Sequence, residues 1–226
     1  INCDANNKIS KDMFFRKINK NYNSKAFTTI IKHKKIPNNT ALQIFTKLGP
    51  LAFLPLSNNK TSVVFSVNLK NKNFDDKKII ELIKFYNNKY SIISLNKLEK
   101  FNLSFSVSRN YFYKNILAFG DAIHRVHPLA GQGFNITLRD VKILSELIQE
   151  RINLGLPLDN STLIEFEKKT KHLNYIFTSA IDFVYEFFKF DNEIENNISK
   201  GLFKLVDKNK TLNRFFSKYA NKGLVL

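Results

Sequence analysis

The sequence contains no tryptophan and one cysteine, and it has few glycines and prolines. The lone Cys3 rules out an internal disulfide framework and fits a reducing compartment. No run of about 18 apolar residues is present, so the sequence predicts no membrane-spanning helix. The first ten residues, INCDANNKIS, lack the basic and apolar segments of a signal peptide and do not begin with methionine, which suggests a piece of a longer protein.

Acidic residues are also scarce: 19 Asp and Glu stand against 36 Lys and Arg, a formal net charge of +17. Such an excess fits a polyanionic partner, either nucleic acid or an anionic membrane surface. Compositional drift explains it better, because the lysines are spread along the chain and the abundant Lys, Asn, Ile and Phe are typical of AT-rich genomes. No basic cluster has the interleaved aromatic residues of a single-strand binder, so no nucleic-acid partner is predicted.

The pattern between residues 40 and 110 predicts mostly β structure. Residues 1–36 before it are polar and poorly patterned. Apolar residues alternate over 40–69 on both sides of a turn at 57–60, which predicts antiparallel strands with one covered face. Pro50 and Pro55 would then lie at a strand edge or end. A helix is predicted from Asp75 to about Tyr90, and another strand from Phe101.

The second half is predicted to be helical after one more strand, NILAFGDA. A helix opening at Asn135 would bury a stripe of Leu138, Val141, Leu144, Ile148 and Ile152. At the start of a further helix after Asn160, Thr162 and Glu165 could form a capping box, although Ser161 competes for the cap position. Its stripe of Phe177, Ile181, Val184 and Phe188 is interpreted as core packing rather than a membrane surface. The last segment, Leu212–Tyr219, fits an interfacial helix or a capping core helix.

The segment GDAIHRVHPLAGQGFN, residues 120–135, lies between this strand and the first of these helices. Asp121 stands at the carboxyl end of the strand, where ligands of open α/β sheets bind, and it can accept hydrogen bonds from a polyol. Pro128 fixes a turn, and Gly131 and Gly133 permit a close backbone approach. The free amides and positive dipole end of the helix that Asn135 opens favour an anion. The segment therefore predicts a cofactor with a polyol and an electron-rich edge, as in a flavin.

Several side chains here have simpler explanations. His124 and His127 could suggest a metal pair, but no third ligand is evident, so no metal site is predicted and both would fix the turn or line a cleft. Arg139 and Asp140 are compatible with a plain ion pair on a helix face. Asp121 could also serve only as a cap.

The longer string GDAIHRVHPLAGQGFNITLRD resembles the second FAD-binding fingerprint of the aromatic-ring flavoprotein hydroxylases, and most closely the UbiH-type hydroxylases of ubiquinone biosynthesis. It departs at Ile123 and Thr137, where the family has Ala and Gly. The upstream GPLAFLPL is similar to the family's substrate-domain strand. By position, the resemblance implies that Asp121 binds the ribityl hydroxyls of FAD. The full set of FAD contacts that it implies is Gly120, Asp121, Pro128, Ala130, Gly131, Gln132, Gly133, Phe134 and Asn135.

The resemblance also implies an α/β fold, α+β in this fragment: a para-hydroxybenzoate-hydroxylase-like flavin monooxygenase without its N-terminal Rossmann unit. No Gly-x-Gly-x-x-Gly turn occurs, and only Asp4, followed by Ala5, remains of the family's Asp-Gly fingerprint. The expected organisation is a remnant of the FAD domain, an antiparallel substrate sheet with one helix, a return of the FAD domain, and C-terminal helices. Their respective ranges are 1–36, 37–110, 111–158 and 159–226.

The implied function is an FAD-dependent monooxygenase that hydroxylates the ring of a polyprenylated phenol or quinol in ubiquinone biosynthesis, with NAD(P)H and O₂. The implied setting is cytoplasmic, with peripheral contact to the inner membrane and to partners of a ubiquinone-biosynthesis complex. No acid–base residue is assigned, because the cofactor carries most of this chemistry. Two alternatives remain: a truncated, non-catalytic remnant that associates with a membrane or a partner protein, and a related flavoenzyme on another substrate, such as a lipid reductase.

Overall fold

The computed structural model describes residues 1–69, 74–128 and 132–194. The chain forms two compact units, of which unit 1 combines Ile1–Lys20 with the chain from Phe105 onward, and unit 2 is Asn21–Ser104. The unit boundaries therefore fall before residues 21 and 105, whereas the sequence analysis placed the corresponding boundaries after 36 and 110. Each unit has its own hydrophobic cluster.

Unit 2 is built on an antiparallel sheet. Its strands follow the order β2-β3-β4-β1-β6, with β5 added to β1. The predicted turn at 57–60 is confirmed, since β3 and β4 pair on its two sides through Leu51↔Phe65 and Phe53↔Val63. Helix α2 adds the buried Ile79 to the same core. The element bounds are β1 Lys17–His33, β2 Leu42–Thr46, β3 Gly49–Ser57, β4 Lys60–Asn68, α2 Asp76–Tyr86, β5 Ile92–Leu95 and β6 Glu99–Ser108.

Strand β1 was not predicted, because it lies in the stretch that showed no clear pattern. In its second half, buried positions alternate with less buried ones, except that Ala26 and Phe27 are both buried. Several of the buried positions carry polar residues, which hides the apolar period on which strand prediction depends. The buried residues of this half include Tyr22, Ser24, Ala26, Phe27, Thr29, Ile31 and His33.

The prediction for the two prolines is confirmed. Both belong to β3 and lie near its ends, and the ladder between β2 and β3 covers only Gly49–Phe53. Pro50 is the second residue of β3 and pairs with Phe45. Pro55 pairs with Thr61 next to a register shift. Proline lacks an amide donor for the ladder, and bulges and strand starts are places where that loss is tolerated.

Unit 1 surrounds a core formed by short strands and two long helices. The first helix that follows residues 120–128 begins at Gln132, three residues earlier than predicted, so Asn135 lies inside its first turn. The core contains Phe14, Tyr111, Phe119 and Phe166. The element bounds are α1 Lys8–Met13, β7 Phe112–Tyr113, β8 Ile116–Leu117, a 3₁₀ turn Gly120–Ala122, β9 His124–Arg125, α3 Gln132–Asn153 and α4 Asn160–Ile194.

The predicted apolar stripe of α3 is only partly buried. Leu144 is buried, but Leu138, Val141 and Ile152 are each about half exposed. The face of α3 that packs into unit 1 includes a charged residue. The apolar periodicity of the sequence therefore indicated a neighbouring face as the buried one. Its buried residues are Ile136, Asp140, Leu144 and Leu147.

Helix α4 shows the same effect, and its start also differs from prediction. Asp159 caps the helix by accepting a hydrogen bond from the Ser161 amide (2.9 Å), so the capping box of Thr162 and Glu165 was wrong. Ile181 is buried as predicted, whereas Val184 is exposed. Polar residues take much of the buried face: Thr162, Thr170, Asn174 and Thr178 lie in it with Tyr185.

Two predictions fall partly or wholly outside the described residues: the side chain of Phe188 and the segment Leu212–Tyr219. Among the residues that the structure does describe, no helix combines the length and hydropathy needed to cross a membrane.

Gly49 is the one glycine of unit 2, and its backbone conformation and surroundings exclude a side chain. Its φ is +137°, and a Cβ there would overlap the carbonyl oxygen of Ser66. We expect Gly49→Ala to lower the free energy of unfolding by about 3 kcal/mol or more, since backbone strain and overpacking add. Gly155→Ala is the matched control, because Gly155 also has a positive φ (+65°) but nothing within 4 Å of the added methyl. Urea unfolding measures both, and equal losses would contradict the prediction.

Candidate functional site

The turn at Gly120–Ala122 holds the carboxylate of Asp121 in solvent. Gly120 has a φ of +54°, a conformation that glycine adopts without steric cost. The Ile123 amide closes the turn by donating to the Gly120 carbonyl (2.9 Å), and Ala122 and Ile123 are each 1% exposed. Asp121 is exposed, and its carboxylate has no hydrogen bond or ion pair within the described residues. The turn therefore presents the Asp121 carboxylate as an available hydrogen-bond acceptor, and its buried neighbours hold the backbone in place.

The chain segment before this turn runs parallel to the N-terminal residues. Asn2 forms a parallel bridge with Ala118, and its amide donates to the Leu117 carbonyl (2.7 Å). Because the two segments run in the same direction, Asp4 and Asp121 both lie beyond the same end of the paired stretch. Asp4 is exposed and accepts a hydrogen bond from a backbone amide two residues on. Two carboxylates thus follow the edge at which the sequence predicted a ligand.

The first turns of α3 pack against the segment that carries Asp121. A Cβ built on Gly120 would lie 3.6 Å from Thr137 Cγ2, and one built on Gly133 would lie 3.3 Å from Val126 Cγ2. Thr137 also donates its hydroxyl to the Gly133 carbonyl (3.3 Å). Thr137, where the sequence departs from the family pattern, therefore lies next to both Gly120 and Gly133 of the predicted site.

The structure places the remaining predicted contacts as follows. Pro128 and Asn135 are exposed, and Phe134 is 69% exposed. Gln132 is the first residue of α3. Ala130 and Gly131 lie outside the described residues. The other described members of the predicted site lie on the turn or in the first turn of the helix packed beside it, and Pro128 lies in the segment between the two.

A buried polar network joins these two parts to α4. Asp140, fully buried on α3, accepts hydrogen bonds from Arg139 Nη2 (3.0 Å) and Asn174 Nδ2 (2.9 Å). His124 Nε2 of β9 lies 3.4 Å from its second oxygen. Arg139 also donates to the amide oxygen of Asn174. One carboxylate therefore links β9, α3 and α4, and the ion pair that the sequence placed on a helix face is buried instead.

The sequence analysis missed Asn174 and Tyr111. Asn174 sits on the buried face of α4, and its only signal in the sequence is an amide among apolar helix positions. Tyr111 is fully buried close to this network, and burial raises the pKa of its hydroxyl well above the usual value for tyrosine. The hydroxyl therefore stays neutral, so the charge of Asp140 has no ionised tyrosine beside it.

His127 is buried beneath the end of the same segment. Its ring stacks on Tyr185 of α4 with centroids 4.1 Å apart, and burial lowers its pKa to about 4, with Asp182 acting in the opposite direction. His124 and His127 thus have separate partners and do not share a ligand position. In the described part of the chain, no group of three or more His, Cys, Asp and Glu residues could hold a metal ion.

This arrangement fits one end of a flavin. A polyol can donate to the exposed Asp121 carboxylate, and the positive end of the α3 dipole suits an electron-rich ring edge. Burial of Ala122, Ile123 and Ile136 holds both parts in position. The exposed Asp121 carboxylate therefore fits the hydroxyl donors of a ribityl chain.

Comparison with known families supports this fit. The family model described as FAD binding domain matches residues 12–153, and the model described as squalene epoxidase matches residues 93–214. The chain therefore belongs to the FAD-binding domain family, and its second half also matches the squalene epoxidase family. FAD is the cofactor that this membership supports.

Curated relatives confirm the resemblance to the ubiquinone-biosynthesis hydroxylases. The chain is 26% identical to ubiquinone biosynthesis monooxygenase COQ6, mitochondrial, of Dictyostelium discoideum, over 95% of this chain and 56% of that protein. It is 28% identical to 3-demethoxyubiquinol 3-hydroxylase of Escherichia coli, over 66% of this chain and 40% of that protein. The chain thus spans about half the length of the curated relatives it matches.

Solved structures confirm the predicted fold class. p-Nitrophenol 4-monooxygenase PnpA of Pseudomonas putida matches with a TM-score of 0.72 at 12% identity, over 93% of this chain and 56% of that one. A variant of HpxO from Klebsiella pneumoniae, complexed with FAD, matches with a TM-score of 0.68 at 10% identity, over 96% and 58%. At these identities the likeness concerns the fold alone.

Asp140 provides a direct test of the buried network. Asp140→Asn removes the negative charge and leaves the Arg139 guanidinium, whose side chain is 8% exposed, without a counterion. We expect a loss of about 3–5 kcal/mol in the free energy of unfolding, as for other broken buried pairs. Glu146→Gln on the same helix, 64% exposed, should change it by less than about 0.5 kcal/mol. Urea titrations give both values. An unchanged free energy of unfolding in Asp140→Asn would show that the network does not stabilise the fold.

His127 predicts a specific pH dependence. Its folded-state pKa of about 4 lies below the usual 6.5, so the unfolded chain binds the proton first as the pH falls. The stability that neutral His127 contributes is complete above pH 6.5 and is lost toward pH 4, a decrease of about 3 kcal/mol. His127→Phe keeps a ring against Tyr185 and should flatten this part of the profile. His172→Gln, at an exposed position, should leave it unchanged, and a similar slope in wild type and His127→Phe would contradict the assignment.

Proposed function

We propose that the chain is part of an FAD-dependent monooxygenase that hydroxylates the aromatic ring of a polyprenylated phenol or quinol in ubiquinone biosynthesis, with NAD(P)H and O₂. The names of the relatives in Dictyostelium discoideum and Escherichia coli support this substrate class. The structural observation that carries the proposal is the exposed carboxylate of Asp121, held on a buried turn beside the first turn of α3.

Each part of the candidate site has a proposed role toward FAD. Asp121 accepts hydrogen bonds from the ribityl hydroxyls, and the backbone at Phe134 and Asn135 faces the pyrimidine edge. Gly120 gives the turn the backbone conformation that points residue 121 outward. The other proposed contacts are Pro128, Ala130, Gly131, Gln132 and Gly133.

Bound FAD supplies the electron transfer and oxygen activation that amino acids lack. The chain contributes orientation and shielding. The exposed ring of Phe134, beside the proposed pyrimidine position, excludes water from the edge it covers. The buried Asp140 network holds the helix that carries Phe134 against β9 and α4, so these contacts keep a fixed spacing.

The domain roles are part of the same proposal. Residues 37–110, which contain most of the antiparallel sheet, would form the substrate domain, and residues 111–158 would be the return of the FAD domain after the segment 1–36. Residues 159–226 would complete it with helices. We also propose a cytoplasmic setting with peripheral contact to the inner membrane and to partners of a ubiquinone-biosynthesis complex, because a polyprenylated substrate resides in the lipid.

A second candidate function follows from the squalene epoxidase match over residues 93–214. In that case the same site would serve the oxidation of another isoprenoid lipid. The two candidates share the cofactor contacts and differ in the substrate, so products distinguish them. A non-catalytic remnant is the third case, in which Asp121 has no cofactor to bind.

The first test is an FAD titration of the purified chain, followed by visible absorption. We expect saturable flavin binding that weakens about tenfold in Asp121→Ala, since a charge-assisted hydrogen bond is lost. Asp12→Ala, at another exposed aspartate of unit 1, is the control and should bind like wild type. If neither the chain nor the full-length gene product binds FAD, the remnant interpretation replaces this proposal.

The substrate is tested separately with the FAD-loaded full-length protein. Prenylated phenols and squalene are supplied with NAD(P)H and isotope-labelled O₂, and products are analysed by mass spectrometry. Incorporation of one labelled oxygen atom into the phenol ring is the expected result. Labelled squalene epoxide instead would favour the second candidate.

A further inference from the structure

Unit 1 contains a groove of about 640 Å³ whose lining residues lie outside the candidate FAD site. It is bordered by β1 and β6 at their ends within unit 1, by β7, and by one face of α4. This volume falls in the range of roughly 300–1,000 Å³ that is typical of small-molecule sites.

The floor and walls of the groove are largely apolar. Val107 is 3% exposed and lies at the floor of the groove, whereas the other apolar lining residues are half-buried or exposed. When an apolar chain covers an apolar groove that is open to water, the free energy falls because both apolar surfaces are removed from water. The apolar lining residues are Ile18, Val107, Phe112, Ile164 and Tyr175.

Positive charge surrounds this apolar surface. Arg109, Lys168 and Lys171 line the groove, and Glu167 is the one acidic residue among its described lining residues. Glu167 already accepts hydrogen bonds from Lys171 Nζ (2.6 Å) and from the backbone amide of Tyr111 (3.0 Å).

The charge that remains for a ligand is therefore positive. Neither Arg109 nor Lys168 has an ion pair within the described residues. Both are exposed, and both border the groove. A carboxylate or phosphate can approach them without displacing an existing partner, whereas a cation would meet repulsion.

We propose that this groove binds an amphipathic anion, an apolar chain that ends in a carboxylate or phosphate. The chain lies along the apolar residues, and the anionic group contacts Arg109 and Lys168. The proposal is independent of the FAD site, since none of the lining residues belongs to the segment 120–135. A neutral lipid would contact the same apolar surface but would not make the charged contacts with Arg109 and Lys168.

The experiment uses the absence of tryptophan from the chain. Tyr175→Trp places a single fluorescent reporter at a groove position that is 52% exposed. Decanoate, decyl phosphate, decanol and decyltrimethylammonium are titrated below their micelle concentrations, and calorimetry on the unchanged chain checks the affinities. We expect saturable binding of one or both anions, about tenfold tighter than that of decanol, and no saturable binding of the cation.

Matched variants locate the charge contact. Lys168→Gln and Lys169→Gln remove the same charge from neighbouring exposed positions of α4, but only Lys168 lines the groove. Lys168→Gln should weaken decanoate binding about tenfold, and Lys169→Gln should leave it unchanged. Equal affinity for decanoate and decyltrimethylammonium, equal effects of the two variants, or binding to anionic vesicles without binding of the monomeric anions would each overturn the proposal.

Discussion

The position of α3 depends on one buried carboxylate. Asp140 is fully buried, and a charge in such a place is tolerated only when hydrogen bonds replace the lost water. Arg139 and Asn174 provide those bonds, and His124 approaches the second oxygen. Since these partners come from three different elements, satisfying Asp140 requires all three to be in place at once. A hydrophobic contact at this point would allow α3 to slide, whereas this network fixes its register.

The same network explains where sequence-based prediction succeeded and where it failed. The turn at 57–60 and the strands beside it were predicted because two stretches rich in apolar residues flank a turn-like Ser-Asn-Asn-Lys sequence. The buried faces of α3 and α4 were misplaced because Asp140 and Asn174 occupy core positions, and apolar periodicity cannot register a buried polar residue. Strand β1 was missed for a related reason, since its buried positions include the polar residues Ser24, Thr29 and His33.

The segment that forms the candidate site was more conspicuous in the sequence than the elements around it. Glycines, a proline and an aspartate gather in residues 120–135, and residues that only tight turns and close approaches require are conspicuous in a chain with seven glycines. The support behind the site was less visible, because Tyr111 and Asn174 are distant in sequence and have no distinctive spacing. Thr137 could be recognised only as a departure from the resembled pattern, although it touches both glycine segments.

The order of segments along the chain has a consequence for how the protein folds. Unit 2 interrupts unit 1 between Lys20 and Phe105. The bridge between Asn2 and Ala118 must therefore close a loop that includes all of unit 2, and the entropy of that closure opposes early pairing. The hairpins of unit 2 are local and can form first, which shortens the effective loop. The parallel pair that precedes Asp4 and Asp121 is accordingly expected to form late, after the hairpins of unit 2.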